Sequence, residues 1–349
     1  MFIASELYKE DINIIASSDI KWDTLKNKSI LITGATGLIG TFLIDLLMYR
    51  NTKYNDNITI YAVGRSKEKA LTRFKEYIDS RFFLFIQQNI QNPLELNSSV
   101  DYIIHGASNT HPIAYATEPI NTVLLSVLGT KLILDFASTH HVKRTIFLST
   151  VEVYGENRGD VETFKEDYCG YIDCNTLRSG YPEGKRAAES LCQAYIKEMN
   201  IDIVIARCCR VYGPTMTDND SKVIAQFIRN AVNNEDIVLK SKGNQLYSYC
   251  YVADICYALL VMLINGKNGE AYNISDNNCN LSLLEIATIC SEYTGKNIIF
   301  DIPSSVESAG YSKATKALMD SAKLQKLGWE AKYQLNYGIK RTLDILKHQ

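Results

Sequence analysis

Residues 28–40 constrain the fold more than any other stretch of the chain. Lys28-Ser29-Ile30-Leu31-Ile32-Thr33 is a short apolar run of the kind that forms a buried strand. Gly34-Ala35-Thr36-Gly37-Leu38-Ile39-Gly40 follows at once. Leu38, Phe42, Leu43, Leu46 and Leu47 then recur at helical spacing as far as Arg50. Glycines at 34, 37 and 40 permit a tight turn and a close backbone approach to an anion. A helix that begins there directs free N–H groups and a partial positive charge at the same point. Strand, glycine turn and helix in this order predict a site for the pyrophosphate of a dinucleotide.

The alternation continues downstream. Predicted strands at 58–63, 82–86, 102–105, 145–148 and 201–206 are interspersed with helical patterns at 67–80, 118–139 and 182–199. That order predicts an α/β fold with a doubly wound parallel sheet and right-handed crossovers. The dinucleotide domain is assigned to 28–213. A short helical or irregular lead-in, 1–27, precedes it, with Trp22 packed on the body. Beyond 213 the segments are shorter and mixed, helical at 220–234, 252–264 and 282–293 and strand-like at 237–239 and 271–274. No Pro- or Ser-rich linker intervenes, so this smaller substrate lobe, 214–349, is expected to be interwoven with the first domain.

Composition narrows the class. The 349 residues carry 37 basic and 39 acidic side chains, a formal charge of −2, so no nucleic-acid partner is expected. A hydrophobic share of 46% with 22% charged residues is that of a globular chain rather than a disordered one. Consecutive apolar runs fall short of the ~20 residues of a membrane helix, and no membrane partner is expected. Glu6, Glu10, Asp11, Asp19 and Asp23 interrupt the first 28 residues, which argues against a secretory leader. The nine cysteines are odd in number and form no CxxC pair. Neither a disulfide framework nor a metal site is expected, and free thiols suit a reducing cytoplasm.

Tyr181-Pro182-Glu183-Gly184-Lys185 sets Tyr181 and Lys185 four apart, on one face of a helix. A tyrosine with a reference pKa near 10 is a poor base at neutral pH. A lysine ammonium and a cationic nicotinamide beside it favour the phenolate, which can take a proton from a substrate hydroxyl. Upstream, Ser149-Thr150-Val151-Glu152 lies at a predicted strand end, the end that faces the ligand crevice in such sheets. There the Thr150 hydroxyl would hold the same substrate oxygen. At the end of the second strand, Gly64-Arg65-Ser66 stands where a carboxylate usually meets the ribose 2′-hydroxyl. Arg65 would either face the 2′-phosphate of NADP or be solvated while NAD binds without that carboxylate.

Together these stretches resemble the extended short-chain dehydrogenase/reductase family, the nucleotide-sugar epimerases, dehydratases and decarboxylases. Thr33–Gly40, Asp101–Ser108, Ser149–Gly155, Tyr181–Glu189, Arg207–Pro214, Tyr251–Asp254, Ala271–Asn273 and Asp320–Trp329 carry the resemblance. It implies a Rossmann-type domain with a C-terminal substrate lobe, a bound NAD (or NADP) and a nucleotide-sugar substrate. It further implies transient C4 oxidation, a homodimer packed through helices near 118–139 and 182–199, and a role in polysaccharide or glycan-precursor synthesis. Carried over by position, cofactor contacts fall to Gly34, Thr36, Gly37, Leu38, Ile39, Gly40, Arg65, Asn89, Ile90, Ala107, Ser108, Tyr181 and Lys185. Thr150, Glu152, Tyr181 and Lys185 become the catalytic group.

Departures from the family pattern are informative. Dehydratases carry Thr-Asp-Glu where this chain has Thr150-Val151-Glu152, and decarboxylases carry Ser or Thr, then Ser, then Glu. Valine cannot protonate a leaving hydroxyl. Glu152 remains either a base toward a carbon acid or a group that orients the sugar. The arginine that receives the substrate carboxylate in decarboxylases aligns loosely with Lys316. Tyr247 stands where the family has a diphosphate-binding arginine, and Arg210 stands where it has asparagine. Arg210 is expected to take over recognition of the diphosphate or an acidic substrate. Ser126 occupies a frequent Asn position. His105 is expected to be structural, and His111, His140 and His141 to lie at the surface.

Overall fold

Seven short apolar strands pair side by side in the computed structural model, which describes residues 2–110, 112–302 and 314–347. Six come in the expected order: β1 (Ser29–Thr33), β2 (Thr59–Gly64), β3 (Phe83–Gln87), β4 (Tyr102–His105), β5 (Arg144–Thr150) and β6 (Ile203–Cys208). Then follow β7 (Arg210–Tyr212), β8 (Ile237–Leu239), β9 (Leu246–Tyr251), β10 (Ala271–Ile274), β11 (Asn280–Ser282), β12 (Ile298–Phe300) and β13 (Lys316–Ala317). The main sheet runs β3-β2-β1-β4-β5-β6-β10, with every pairing parallel. The reversal of direction falls between β1 and β4, where a doubly wound sheet opens a crevice.

The helices are α1 (Glu6–Ala16), α2 (Leu38–Tyr54), α3 (Lys67–Arg73), α4 (Pro112–Thr117), α5 (Pro119–Thr139) and α6 (Gly180–Met199). In the C-terminal half are α7 (Val223–Val232), α8 (Val252–Asn265), α9 (Leu283–Thr294), α10 (Ala322–Gln325) and α11 (Leu335–Lys347). Burial on both faces explains why the strands read as continuous apolar runs. Ile30, Ile32 and Ile104 join α2 and α8 in one core. Leu31, Ile103 and Phe147 join α5 and α6 in the other.

The division at 213 does not follow the sheet. β10 pairs with β6, and α8 packs on β5, β6 and α2, although both lie beyond that residue. The smaller lobe comprises β9 flanked by β7, β11 and β13, the β8–β12 pair, and α7, α9 and α11. The helix expected over 67–80 is shorter: Ser66 caps α3, and turns follow Arg73. α4, α11, β7 and β9 were not anticipated. α5, at 21 residues, is long and apolar enough by length and composition to cross a membrane. Small polar residues such as Thr122, Ser126 and Thr130 break its apolar run, so a count of consecutive apolar residues passes it over. Here those three are buried, and α5 packs along α6.

The lead-in forms a true helix whose acids anchor it. Asp11 is buried and accepts hydrogen bonds from Tyr251 (2.6 Å), Tyr333 (2.7 Å) and the Arg341 guanidinium. α1 thereby ties β9 to α11. Tyr8 donates to the buried Asp45 of α2 at 2.6 Å, which also receives Arg73 and Tyr77.

Candidate active site

The crevice begins at the end of β1. Thr33 Oγ1 accepts the backbone N–H groups of Gly106 and Ala107, both at 3.1 Å, and joins β1 to the end of β4. Gly34 has φ +73°, a left-handed conformation that disfavours side chains. A Cβ on Gly40 would lie 2.5 Å from the Gly34 carbonyl oxygen and 2.9 Å from the Ala35 Cα. Gly37 opens α2 without a side-chain cap, so the first N–H groups of that helix face the crevice unclaimed by a neighbouring side chain. This backbone cradle fits a pyrophosphate. Ser108 Oγ is buried with no hydrogen-bond partner among the described residues and lines the same wall, a further polar atom suited to a ligand.

The crevice encloses about 850 Å³. Gly34, Thr36, Gly37, Leu38, Ile39, Gly40, Arg65, Asn89, Ile90, Ala107 and Ser108 all line it, as do Thr150, Glu152, Tyr181, Lys185, Arg210 and Tyr247. Asn89 is exposed and accepts the Gln91 N–H at 3.2 Å. Lys316, on β13, pairs with Leu246 of β9 and is not among the residues that line the crevice.

The histidines divide as expected where they can be described. His105 is buried and bonded to Thr33 (2.7 Å) and Thr130 (3.3 Å), and burial pushes its pKa down to about 3. A neutral imidazole in that position is a structural strut. His140 stacks on Phe136, and His141 is exposed; His111 lies outside the described residues. All nine cysteines are free, seven buried and two exposed.

At the chemical centre, Tyr181 is buried, with Thr150 beside it in the lining of the crevice. Burial, and then the charge of Glu152, push its phenol well above the usual range, against the expectation of a lowered pKa. The reason is local. Lys185 donates to the Leu148 carbonyl at 2.8 Å and is not among the main influences on the phenol. Burial lowers the Lys185 pKa to about 8.

Two side chains in this centre were missed. Tyr115 of α4 stacks on Tyr181 with centroids 4.8 Å apart and planes 19° apart. Arg178, one turn before Tyr181, grips Glu152 through two hydrogen bonds of 2.8 and 2.9 Å. Its spacing from Tyr181 was the available signal; the Glu152 partnership has no local signature.

Farther along the crevice, Arg210 lies over the Tyr247 ring, its guanidinium carbon 3.3 Å from the centroid. One terminal nitrogen of Arg210 is buried with no partner among the described residues. Lys222 and Arg229 line the same region. The concentration of cations suits a diphosphate.

A glycine cradle, a Tyr–Lys helix and a cationic second lobe across a doubly wound sheet define the class as a dinucleotide-dependent enzyme. Residues 30–275 match the NAD dependent epimerase/dehydratase family, and the chain belongs to that family. Among curated relatives it is similar to UDP-glucuronic acid decarboxylase 3 of Arabidopsis thaliana, 33% identical over 313 residues, 90% of this chain and 87% of the relative. It is likewise similar to UDP-glucuronic acid decarboxylase 1 of Xenopus tropicalis, 30% identical over 92% of this chain and 73% of the relative. Solved structures share the fold. UDP-glucuronic acid 4-epimerase from Bacillus cereus, in complex with UDP-glucuronic acid and NAD, has a TM-score of 0.76 at 22% identity and covers 92% of this chain and 99% of its own. The dTDP-glucose 4,6-dehydratase of Bacillus anthracis, in complex with NAD, has a TM-score of 0.77 at 24% identity, covering 92% and 97%.

Proposed function

We propose that the crevice oxidises C4 of a nucleotide-linked hexuronate and releases the C5 carboxylate as carbon dioxide. The observation that carries this reading is Val151, a buried aliphatic side chain between Thr150 and Glu152. Elimination of water needs an acid at the leaving hydroxyl, and valine has no proton to give. A 4-keto hexuronate needs no such acid. Its ketone lies β to the carboxylate, so the C5–carboxylate bond breaks with its electron pair passing into an enolate. A proton returned to C5 then completes the product. The similarity to UDP-glucuronic acid decarboxylases supports the same reading.

NAD, held by the glycine cradle of Gly34, Gly37 and Gly40 and by Ser108, would supply the acceptor for the C4 hydride and the donor for its return. Tyr181, once ionised, takes the proton of the C4 hydroxyl, and Thr150 holds the same oxygen. Lys185 sets a positive charge behind the strand end. Glu152 orients the sugar or exchanges the C5 proton. Arg210, Lys222 and Arg229 receive the diphosphate, with Arg210 in the part of the missing family arginine. Lys316 has no part in this assignment.

Arg65 favours a second reading, an NADPH-dependent ketosugar reductase, because its guanidinium at the end of β2 suits a 2′-phosphate. Ile120, Leu124 and Leu128 form an exposed apolar stripe on α5, suited to a second copy of the chain. Leu124→Asp would then shift the molar mass in light scattering from dimer to monomer.

The test of the reaction is incubation with NAD and UDP-glucuronate in D2O, with products read by NMR. A pentose product supports the proposal. A hexuronate isomer would replace decarboxylation with epimerisation, and turnover of a ketosugar only with added NADPH would favour the reductase.

A further inference from the structure

Arg178 sits on the short turn Leu177–Ser179, which runs directly into α6, so the chain fixes its distance from Tyr181. Glu152 sits on the turn after β5. The two parallel hydrogen bonds between them, 2.8 and 2.9 Å, are the bidentate fork that only arginine offers. The guanidinium carbon also stands 4.8 Å from the ring centroid of Tyr115, which in turn stacks on Tyr181. Its third nitrogen, Nε, is buried with no partner among the described residues. The cluster is therefore one packed unit: a carboxylate, a guanidinium and two aromatic rings.

We infer that Arg178 is a positioning residue, one that fixes Glu152 against the Tyr115–Tyr181 stack and offsets its negative charge where Tyr181 must ionise. The inference rests on the reading of Tyr181 as the base. A carboxylate beside a buried phenol opposes formation of the phenolate, and a cation shared with that carboxylate relieves the opposition. The charged and titratable groups acting on Tyr181 agree. Glu152 from the turn after β5, Cys208 from β6 and Tyr115 from α4 surround it, with Arg178 before it and Lys185 one turn after. Glu152 raises its pKa and Arg178 lowers it. Lys185 is engaged with the Leu148 carbonyl. Arg178 is thus the cation that the fold commits to Glu152.

The test compares the NAD complexes of the wild type, Arg178→Gln, Arg178→Lys and the double variant Arg178→Gln/Glu152→Gln. Tyrosinate absorbance in the near ultraviolet is titrated for each against the matching Tyr181→Phe background, which isolates Tyr181 and needs no sugar. The pH dependence of turnover is followed in parallel with UDP-glucuronate. In Arg178→Gln the tyrosinate midpoint and the rising limb of activity are expected to move to higher pH by about one unit or more. In the double variant the midpoint returns toward the wild type. Arg178→Lys keeps the midpoint near the wild type while turnover falls, because the charge remains and the fork is lost. An unmoved midpoint in Arg178→Gln would overturn the inference. So would an equal displacement in Arg178→Lys or in the double variant, since a purely structural arginine gives that result. Wild-type turnover by Tyr181→Phe would instead overturn the assignment of the base, which the tyrosinate comparison does not touch.

Discussion

Arg210 lies over the ring of Tyr247, its guanidinium carbon 3.3 Å from the centroid. Arg210 belongs to β7 and Tyr247 to β9, and both line the crevice. Arg210→Ala therefore removes a charge-assisted contact of about 1.5–3 kcal/mol to the substrate. The Michaelis constant for UDP-glucuronate is expected to rise roughly 10- to 150-fold by the same energy, with turnover less affected. Steady-state kinetics check this; unchanged constants would show that Arg210 does not touch the substrate.

Lys185 couples the site to stability. Its folded pKa, about 8, lies below the ordinary 10.5. Between these values the unfolded chain holds a proton that the folded chain has released, so wild-type stability rises with pH across that window. Below it, both states are protonated and the folded state bears the burial of the charge, on the order of 3 kcal/mol. Lys185→Met removes this dependence and hydride transfer with it. Its stability relative to the wild type is expected to be greatest below pH 8, to fall between about pH 8 and 10.5, and to level off above. Chemical denaturation at several pH values measures the slope, and parallel curves for the two proteins would contradict the assignment.

The glycine cradle is a steric requirement. Gly40→Ala would push a methyl group into the Gly34 carbonyl. Such overpacking costs about 1–3 kcal/mol of stability and obstructs the approach of the pyrophosphate. Calorimetry is expected to record weaker NAD binding together with a lower melting temperature.

Much of this was legible from the chain. The glycine turn, six strands of the main sheet and the Tyr181–Lys185 pair follow from local pattern, because each is a short segment whose periodicity or spacing survives in isolation. β9 was not legible: its tyrosines are buried, and the Tyr251 hydroxyl finds its partner, Asp11, far away in sequence. The helical pattern over 118–139 matches α5, but the burial of its small polar residues Thr122, Ser126 and Thr130 was not legible. Lys316 sits on β13, whose pairing with β9 has no local signature. Arg178 and Tyr115 gain their meaning only when α4 and the turn before α6 meet the end of β5. Long-range pairing of this kind leaves no trace in spacing.

The lead-in offers a separate check on the fold. Asp11 is a buried carboxylate serving Tyr251, Tyr333 and Arg341. Asp11→Ala leaves the guanidinium buried and unpaired on that side, a loss of about 3–5 kcal/mol. Urea denaturation is expected to show that loss, with NAD affinity in the folded fraction unchanged because α1 lies outside the crevice.

The most direct test of the central claim uses UDP-glucuronate deuterated at C4, with NMR analysis of the product. Removal and return of the C4 hydride predicts slower turnover than with the protonated sugar and a product one carbon shorter that still carries deuterium at C4. Turnover at the undiminished rate, deuterium lost to solvent, or a product that retains all six sugar carbons would contradict it.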